Sequence, residues 1–284
     1  MKKILQKAAK AYNIPEFLNG PDARGLRMLA EFLQPTSVFR RQGIKDTIVF
    51  FGSARIKSRL NALTALKKVR AKSSKYKKIP AVLKKEYEDS QIDLQMSKYY
   101  EDAVELARML TTWSKKLYQL NRFVVCSGGG PGIMEAANKG ASLAKGRSAG
   151  LNISLPFEQF PNQFVSPELN FEFHYFFMRK FWFVYLGKAL VVFPGGFGTF
   201  DEFMEVLTLR QTKKIKKKIT VVLYGREFWH SVFNFEELVR RRLISREDLE
   251  LFRFADTPLE AYDHLVRELR KNYPEETEES LTLQ

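Results

Sequence analysis

Short runs of consecutive apolar residues alternate along this chain with longer stretches in which apolar positions recur every three or four residues. Runs such as Phe123-Val124-Val125-Cys126 and Ala189-Leu190-Val191-Val192-Phe193 are continuously apolar, the pattern of strands covered by helices on both faces of a sheet. The pattern predicts strands over 47–52, 122–127, 148–154, 171–175, 189–193 and 219–224. Helices are predicted over 99–119, 132–144, 177–187, 200–213, 228–242 and 258–271. Strands and helices in this alternation predict an α/β class: a doubly wound, mostly parallel, Rossmann-like sheet flanked by helices. Residues 1–46 are expected to form a helical arm, 47–272 the sheet domain and 273–284 an acidic, frayed tail.

Composition agrees with one α/β domain, since 284 residues with 45% hydrophobic side chains suffice for a full core. No apolar run is long enough to span a bilayer, and the start lacks the apolar stretch of a secretion signal, so a cytoplasmic protein is expected. The single cysteine, Cys126, rules out an internal disulfide and a cysteine metal cluster; its place at a strand end marks a small buried residue. His174, His230 and His264 lack metal-ligand spacing and read as packing or surface residues.

Charge changes the picture at one place. The net charge is +15, and between Arg55 and Lys85 stand twelve basic residues and no acid. This stretch, about 56–95, falls between the first predicted strand and its helix and reads as an insertion. A second basic run spans Lys213 to Lys218. Such runs are ordinarily solvated faces; nucleic acid or an anionic membrane are the alternatives, and the lone Tyr76 inside the first run argues against a base-stacking platform.

Two strand-to-helix turns are rich in glycine. Val191 to Glu202 reads V-V-F-P-G-G-F-G-T-F-D-E, and Phe123 to Glu135 reads F-V-V-C-S-G-G-G-P-G-I-M-E. Glycine lets a backbone approach a phosphate closely, and a helix start supplies unpaired N–H groups and a positive dipole end. Thr199 is the expected N-cap, with Glu202 completing a T-x-x-E capping box, which is a purely structural account of that pair. Two such turns in one doubly wound sheet point instead to a crevice that binds a nucleotide. Arg179 and Lys180 sit in an aromatic run, Phe173 to Phe183, where cations need anionic partners; a structural ion pair with a nearby carboxylate and a substrate anion are both open on spacing alone.

The P-G-G-x-G-T-x-x-E pattern from Pro194 to Glu202, preceded by Arg179-Lys180, resembles the LOG family of nucleoside 5′-monophosphate phosphoribohydrolases. Phe51-Gly52-Ser53-Ala54-Arg55, the run Ser127 to Asn138, Gly150-Leu151-Asn152-Ile153 and Leu155 to Gln159 are similar to its longer bacterial branch. Members have often carried the label lysine decarboxylase, yet nothing in the sequence resembles a Schiff-base lysine site. The resemblance implies hydrolysis of the N-glycosidic bond of AMP or a cytokinin nucleotide, with Arg179 and Glu202 catalytic. It implies that Lys180 and Thr208 contact substrate and that the N–H groups of Gly195, Gly196, Gly198 and Thr199 hold the 5′-phosphate. Gly128, Gly129, Gly130, Gly132, Met134 and Ser53 are further candidate substrate contacts. Near a helix start Glu202 is expected to be ionised, a base or charge stabiliser, while Asp201 turns about 100° away and Glu135 borders the site. The resemblance also implies a homodimer, with no metal or cofactor needed. Other classes remain: a nucleotide-binding regulator without turnover, or a nucleic-acid binder acting through the basic insertion. A dinucleotide oxidoreductase is disfavoured because neither glycine turn spells G-x-G-x-x-G.

Overall fold

A computed structural model describes residues 7–117, 121–156 and 160–274. Helices α1 (Pro15–Asn19) and α2 (Arg24–Arg41) lead into strand β1 (Thr47–Phe51), followed by α3 (Arg59–Ser73) and the long α4 (Ala81–Ser114). Then come β2 (Val124–Ser127), α5 (Ile133–Leu143), β3 (Ser148–Ile153), β4 (Asn170–Phe173), α6 (Phe176–Leu186) and β5 (Gly187–Val192). The chain continues through α7 (Phe197–Gln211), β6 (Thr220–Tyr224), α8 (Arg226–Val232), α9 (Phe235–Arg240), β7 (Arg253–Ala255) and α10 (Pro258–Asn272).

The seven strands form one sheet in the order β4-β3-β2-β1-β5-β6-β7, every neighbouring pair parallel. Windings depart in opposite directions from β1, so the order reverses between β1 and β5, the position where α/β sheets open a crevice. Alternation within β1 builds two cores. Ile48 and Phe50 join Leu106 and Leu110 of α4 and Leu265 and Leu269 of α10 on one face, while Val49 and Phe51 join Trp182, Phe183, Phe203 and Trp229 on the other. Edge strand β4 alternates exposed and buried residues, whereas all five positions of β1 are buried.

Local chemistry sets the element ends. Ser58 caps α3 by accepting from the Asn61 N–H, and Thr257 caps α10 by accepting from that of Glu260, with Pro258 in the first turn. The helix expected over 228–242 is two helices, because the Asn234 side chain accepts from the Glu237 N–H and starts α9 afresh. The helix expected over 99–119 begins at Ala81, and residues 118–120 lie outside the described residues. Strand β7, three residues long, was too short to register in the pattern.

The N-terminal helices pack against the sheet domain. Val38 and Phe39 are buried in the second core, and Phe39 and Phe32 pack on Trp182 at 5.6 and 6.0 Å between ring centroids. The basic insertion folds as a helical hairpin of α3 and the first half of α4. At the opposite edge of the sheet, Asp46 accepts from Arg122 at 2.9 Å and lies 3.4 Å from Lys188, both members of the first pair being under a tenth exposed. Among the described residues no helix is long and apolar enough to cross a membrane. The expected acidic tail beyond Pro274 lies outside the described residues, as do the last three positions of the Leu155 to Gln159 motif.

Candidate active site

The loops after β1, β2 and β5 meet at the switch point and are tied together through Ser53. Its N–H donates to the Pro194 carbonyl at 3.0 Å, and its carbonyl accepts from the Ile133 N–H at 3.1 Å. A cavity of about 840 Å³ opens there, lined by Ser53, Arg55, Gly128, Met134, Arg179, Phe183, Glu202 and the stretch Gly195 to Phe200, with Phe228 and Val232 of α8 on one side.

Helix α7 starts three residues earlier than its sequence suggested. Gly196 is the N-cap and carries no side chain to cap with, so Thr199 is the third helical residue, its N–H bonded to the Gly196 carbonyl. The expected capping box therefore does not form, and Glu202 sits in the second turn. Among the described residues the N–H groups of Phe197 and Gly198 have no acceptor. A Cβ added to Gly196 or Gly198 would meet nothing within 4 Å, and φ at Gly196 is an ordinary −103°. Neither packing nor backbone strain asks for glycine there, which leaves bare backbone facing the cavity. Gly195 differs: a Cβ would fall 2.1 Å from the Thr199 hydroxyl.

The second glycine turn is built differently from the first. Gly128 and Met134 reach the cavity, but Gly129, Gly130 and Gly132 are buried and are not among its lining residues. Asn162 donates from its side chain to the carbonyls of Gly129 and Gly130 at 2.9 and 3.0 Å. Gly132 has φ +70°, and a Cβ would lie 2.3 Å from the Ser53 carbonyl oxygen. These three glycines shape the loop and do not form an open cradle.

Arg179 on α6 and Glu202 on α7 face each other across the cavity floor, Nη2 to Oε1 at 3.4 Å, with side chains 15% and 7% exposed. The guanidinium lies over the rings of Phe176 and Phe183 at 5.2 and 5.6 Å, and its Nε has no hydrogen-bond partner among the described residues. The ion pair allowed by the sequence thus exists, but it is one long contact that lines a cavity and leaves donors unused. Burial pushes the Glu202 carboxyl up to about 7, against the pull of Arg179 and Lys180, and burial also lowers Arg179. The Glu202 carboxyl is thus raised from its ordinary range, with burial the largest cause, and it sits in the second turn of α7 and not in the first turn where the sequence placed it.

The remaining candidates lie outside the cavity. Lys180 is held by Asp201 at 2.7 Å and Glu205 at 3.3 Å, which also turns Asp201 away from Glu202 as its helical position required. Thr208 is exposed and donates to the Met204 carbonyl. Glu135 accepts from the Tyr100 hydroxyl at 2.6 Å. Cys126 is buried, and burial raises its thiol. Among the described residues no group of three His, Cys, Asp or Glu side chains is placed to hold a metal. Sequence reasoning missed the apolar wall of Phe183, Phe200, Phe228 and Val232, whose runs read only as core, and Arg55 at the mouth.

The family model described as possible lysine decarboxylase matches residues 134–265, a stretch that includes Met134, Arg179, the Gly195 to Glu202 loop and Thr208. Residues 134–265 are a LOG-family domain. Despite the family's other label, the cavity has no lysine in its wall among the described residues. No curated protein matches the chain. Solved structures similar to it include the molybdenum cofactor binding protein from the phototrophic bacterium Rippkaea orientalis, at 18% identity and TM-score 0.42, covering 60% of this chain and 87% of that one. Another is the Moco carrier protein from Chlamydomonas reinhardtii, at 21% identity and TM-score 0.43, covering 61% and 89%. At these scores neither bears on what the cavity binds.

Proposed function

We propose that this LOG-family domain is a cytoplasmic hydrolase that adds water across the N-glycosidic bond of a nucleoside 5′-monophosphate, releasing the free base and ribose 5-phosphate. The observation that carries the reading is the pairing of a buried, near-neutral acid and an arginine, Glu202 and Arg179, opposite a bare-glycine helix start in one cavity. The 5′-phosphate sits on the N–H groups of Phe197 and Gly198 in the space left by Gly196 and Gly198, where the helix dipole favours an anion. Cleavage of the glycosidic bond builds positive charge on the sugar, which ionised Glu202 stabilises from within hydrogen-bonding range of the ribose hydroxyls. A carboxyl titrating near 7 is also suited to take the proton from the attacking water. Arg179, with its free Nε, holds the substrate and supports the departing base.

Exposed Phe177, Phe181 and Tyr185 on α6, beside exposed Leu29 and Leu33 on α2, support a homodimer formed through these faces. Release of adenine and ribose 5-phosphate from AMP, and of base from isopentenyl-AMP, tests the activity and ranks the two substrates. Turnover by the native chain that disappears in Glu202→Gln supports hydrolysis. AMP binding without turnover in the native chain overturns it in favour of a nucleotide-binding regulator.

A further inference from the structure

The α3–α4 hairpin projects well beyond the sheet. Tyr99 packs on Tyr224 at the carboxyl end of β6, and the Tyr100 hydroxyl meets Glu135 in the first turn of α5, so the helix reaches the carboxyl edge of the sheet near these residues. Residues 81–98 continue past that edge by about 27 Å at the α-helical rise. The cavity opens at the same edge.

Two independent features meet at the tip. All twelve cations between Arg55 and Lys85 are exposed, and among the described residues only Lys57 and Lys84 have a carboxylate within 4.0 Å. Between Lys75, Lys77, Lys78, Lys84 and Lys85, the turn also shows solvent three apolar side chains, Tyr76 at 53%, Ile79 at 51% and Val82 at 70% exposed. A sugar–phosphate backbone rewards the lysines but gives nothing to Ile79 and Val82. An anionic bilayer rewards both, the lysines at headgroup phosphates and the apolar crest at the acyl boundary.

We propose that the hairpin tip is a docking surface for anionic lipid membranes, with Tyr76, Ile79 and Val82 entering the headgroup–acyl boundary inside a collar of lysines. Docked this way, the chain presents the cavity-bearing edge of its sheet toward the membrane.

Co-sedimentation of the full chain with vesicles of phosphatidylcholine plus phosphatidylserine, and of phosphatidylcholine alone, tests this. Binding is expected only with the anionic vesicles and is expected to weaken with salt. Replacing Lys75, Lys77 and Lys78 together by Ser is expected to weaken it about 100-fold, near fivefold per lysine. The pair Ile79→Ser and Val82→Ser, which leaves every charge in place, is expected to weaken it about tenfold. Both variants are exposed-surface changes whose thermal unfolding is compared with the native chain. Absence of binding to anionic vesicles at low salt overturns the proposal. So does vesicle binding that the Ile79/Val82 pair leaves unchanged, and so does tighter binding to single-stranded RNA, by fluorescence anisotropy, than to the vesicles.

Discussion

Replacing Glu202 by Gln tests the protonation state of the site through stability alone, whatever the substrate. In the folded chain burial raises the Glu202 carboxyl from its ordinary 4.5 to about 7. A group raised on folding lends stability that is full below its unfolded value and is lost as pH rises through its folded value. The gap between 4.5 and about 7, at about 1.4 kcal/mol per pH unit, amounts to about 3 kcal/mol withdrawn from the native chain by pH 8. Glutamine keeps the shape of the neutral acid at every pH. Its own contact with Arg179 does not titrate, so that contribution cancels when the mutant-minus-native difference is followed across pH. Urea unfolding of both chains is therefore expected to show a difference that grows by about 3 kcal/mol in favour of Glu202→Gln between about pH 4 and pH 8, most of it between 4.5 and 7. A difference that stays flat, or moves toward the native chain as pH rises, refutes the reasoning, because Glu202 would then be an ordinary carboxylate stabilised by its arginine.

Arg179→Gln removes the strongest charge holding the Glu202 carboxyl down, so the titration of that carboxyl, followed by its carbon NMR shift, is expected to move upward in pH from about 7. Gly196→Ala is expected to unfold within about 0.5 kcal/mol of the native chain yet to raise KM for AMP, since its methyl occupies only the open cavity. Gly132→Ala, at positive φ and against the Ser53 carbonyl, is expected to cost about 3 kcal/mol or more in urea unfolding. Asp46→Ala strands the buried Arg122 charge, takes the carboxylate from the partly buried Lys188, and is expected to lower stability by about 3–5 kcal/mol in the same assay.

The sheet was legible because its central strands are buried on both faces, and 189–193 can hardly be read as anything else. Elements set by a single local contact were not. The Asn234 cap that divides 228–242 and the three residues of β7 leave no periodic trace. The hairpin's helices were hidden for another reason: lysines on nearly every face blur the apolar spacing of α3. In the site, the juxtaposition of Arg179 and Glu202 followed from the motif, but the protonation of Glu202 did not, because spacing along a helix says nothing about how much solvent is displaced around it. Nor does a glycine run say which of its residues face a ligand. Gly196 and Gly198 do face the cavity, whereas Gly129, Gly130 and Gly132 were claimed by Asn162 and Ser53, partners far away in sequence.

The double use of the Ser53 backbone carries a mechanical consequence. Because its N–H holds the loop after β5 and its carbonyl holds the start of α5, both glycine turns are tied to the backbone of the same residue. The amide protons of Ser53 and Ile133 are therefore expected to exchange with solvent in one concerted step, and a ligand that grips the Gly195 to Thr199 turn slows exchange at Ile133, on the far side of β1, without touching it.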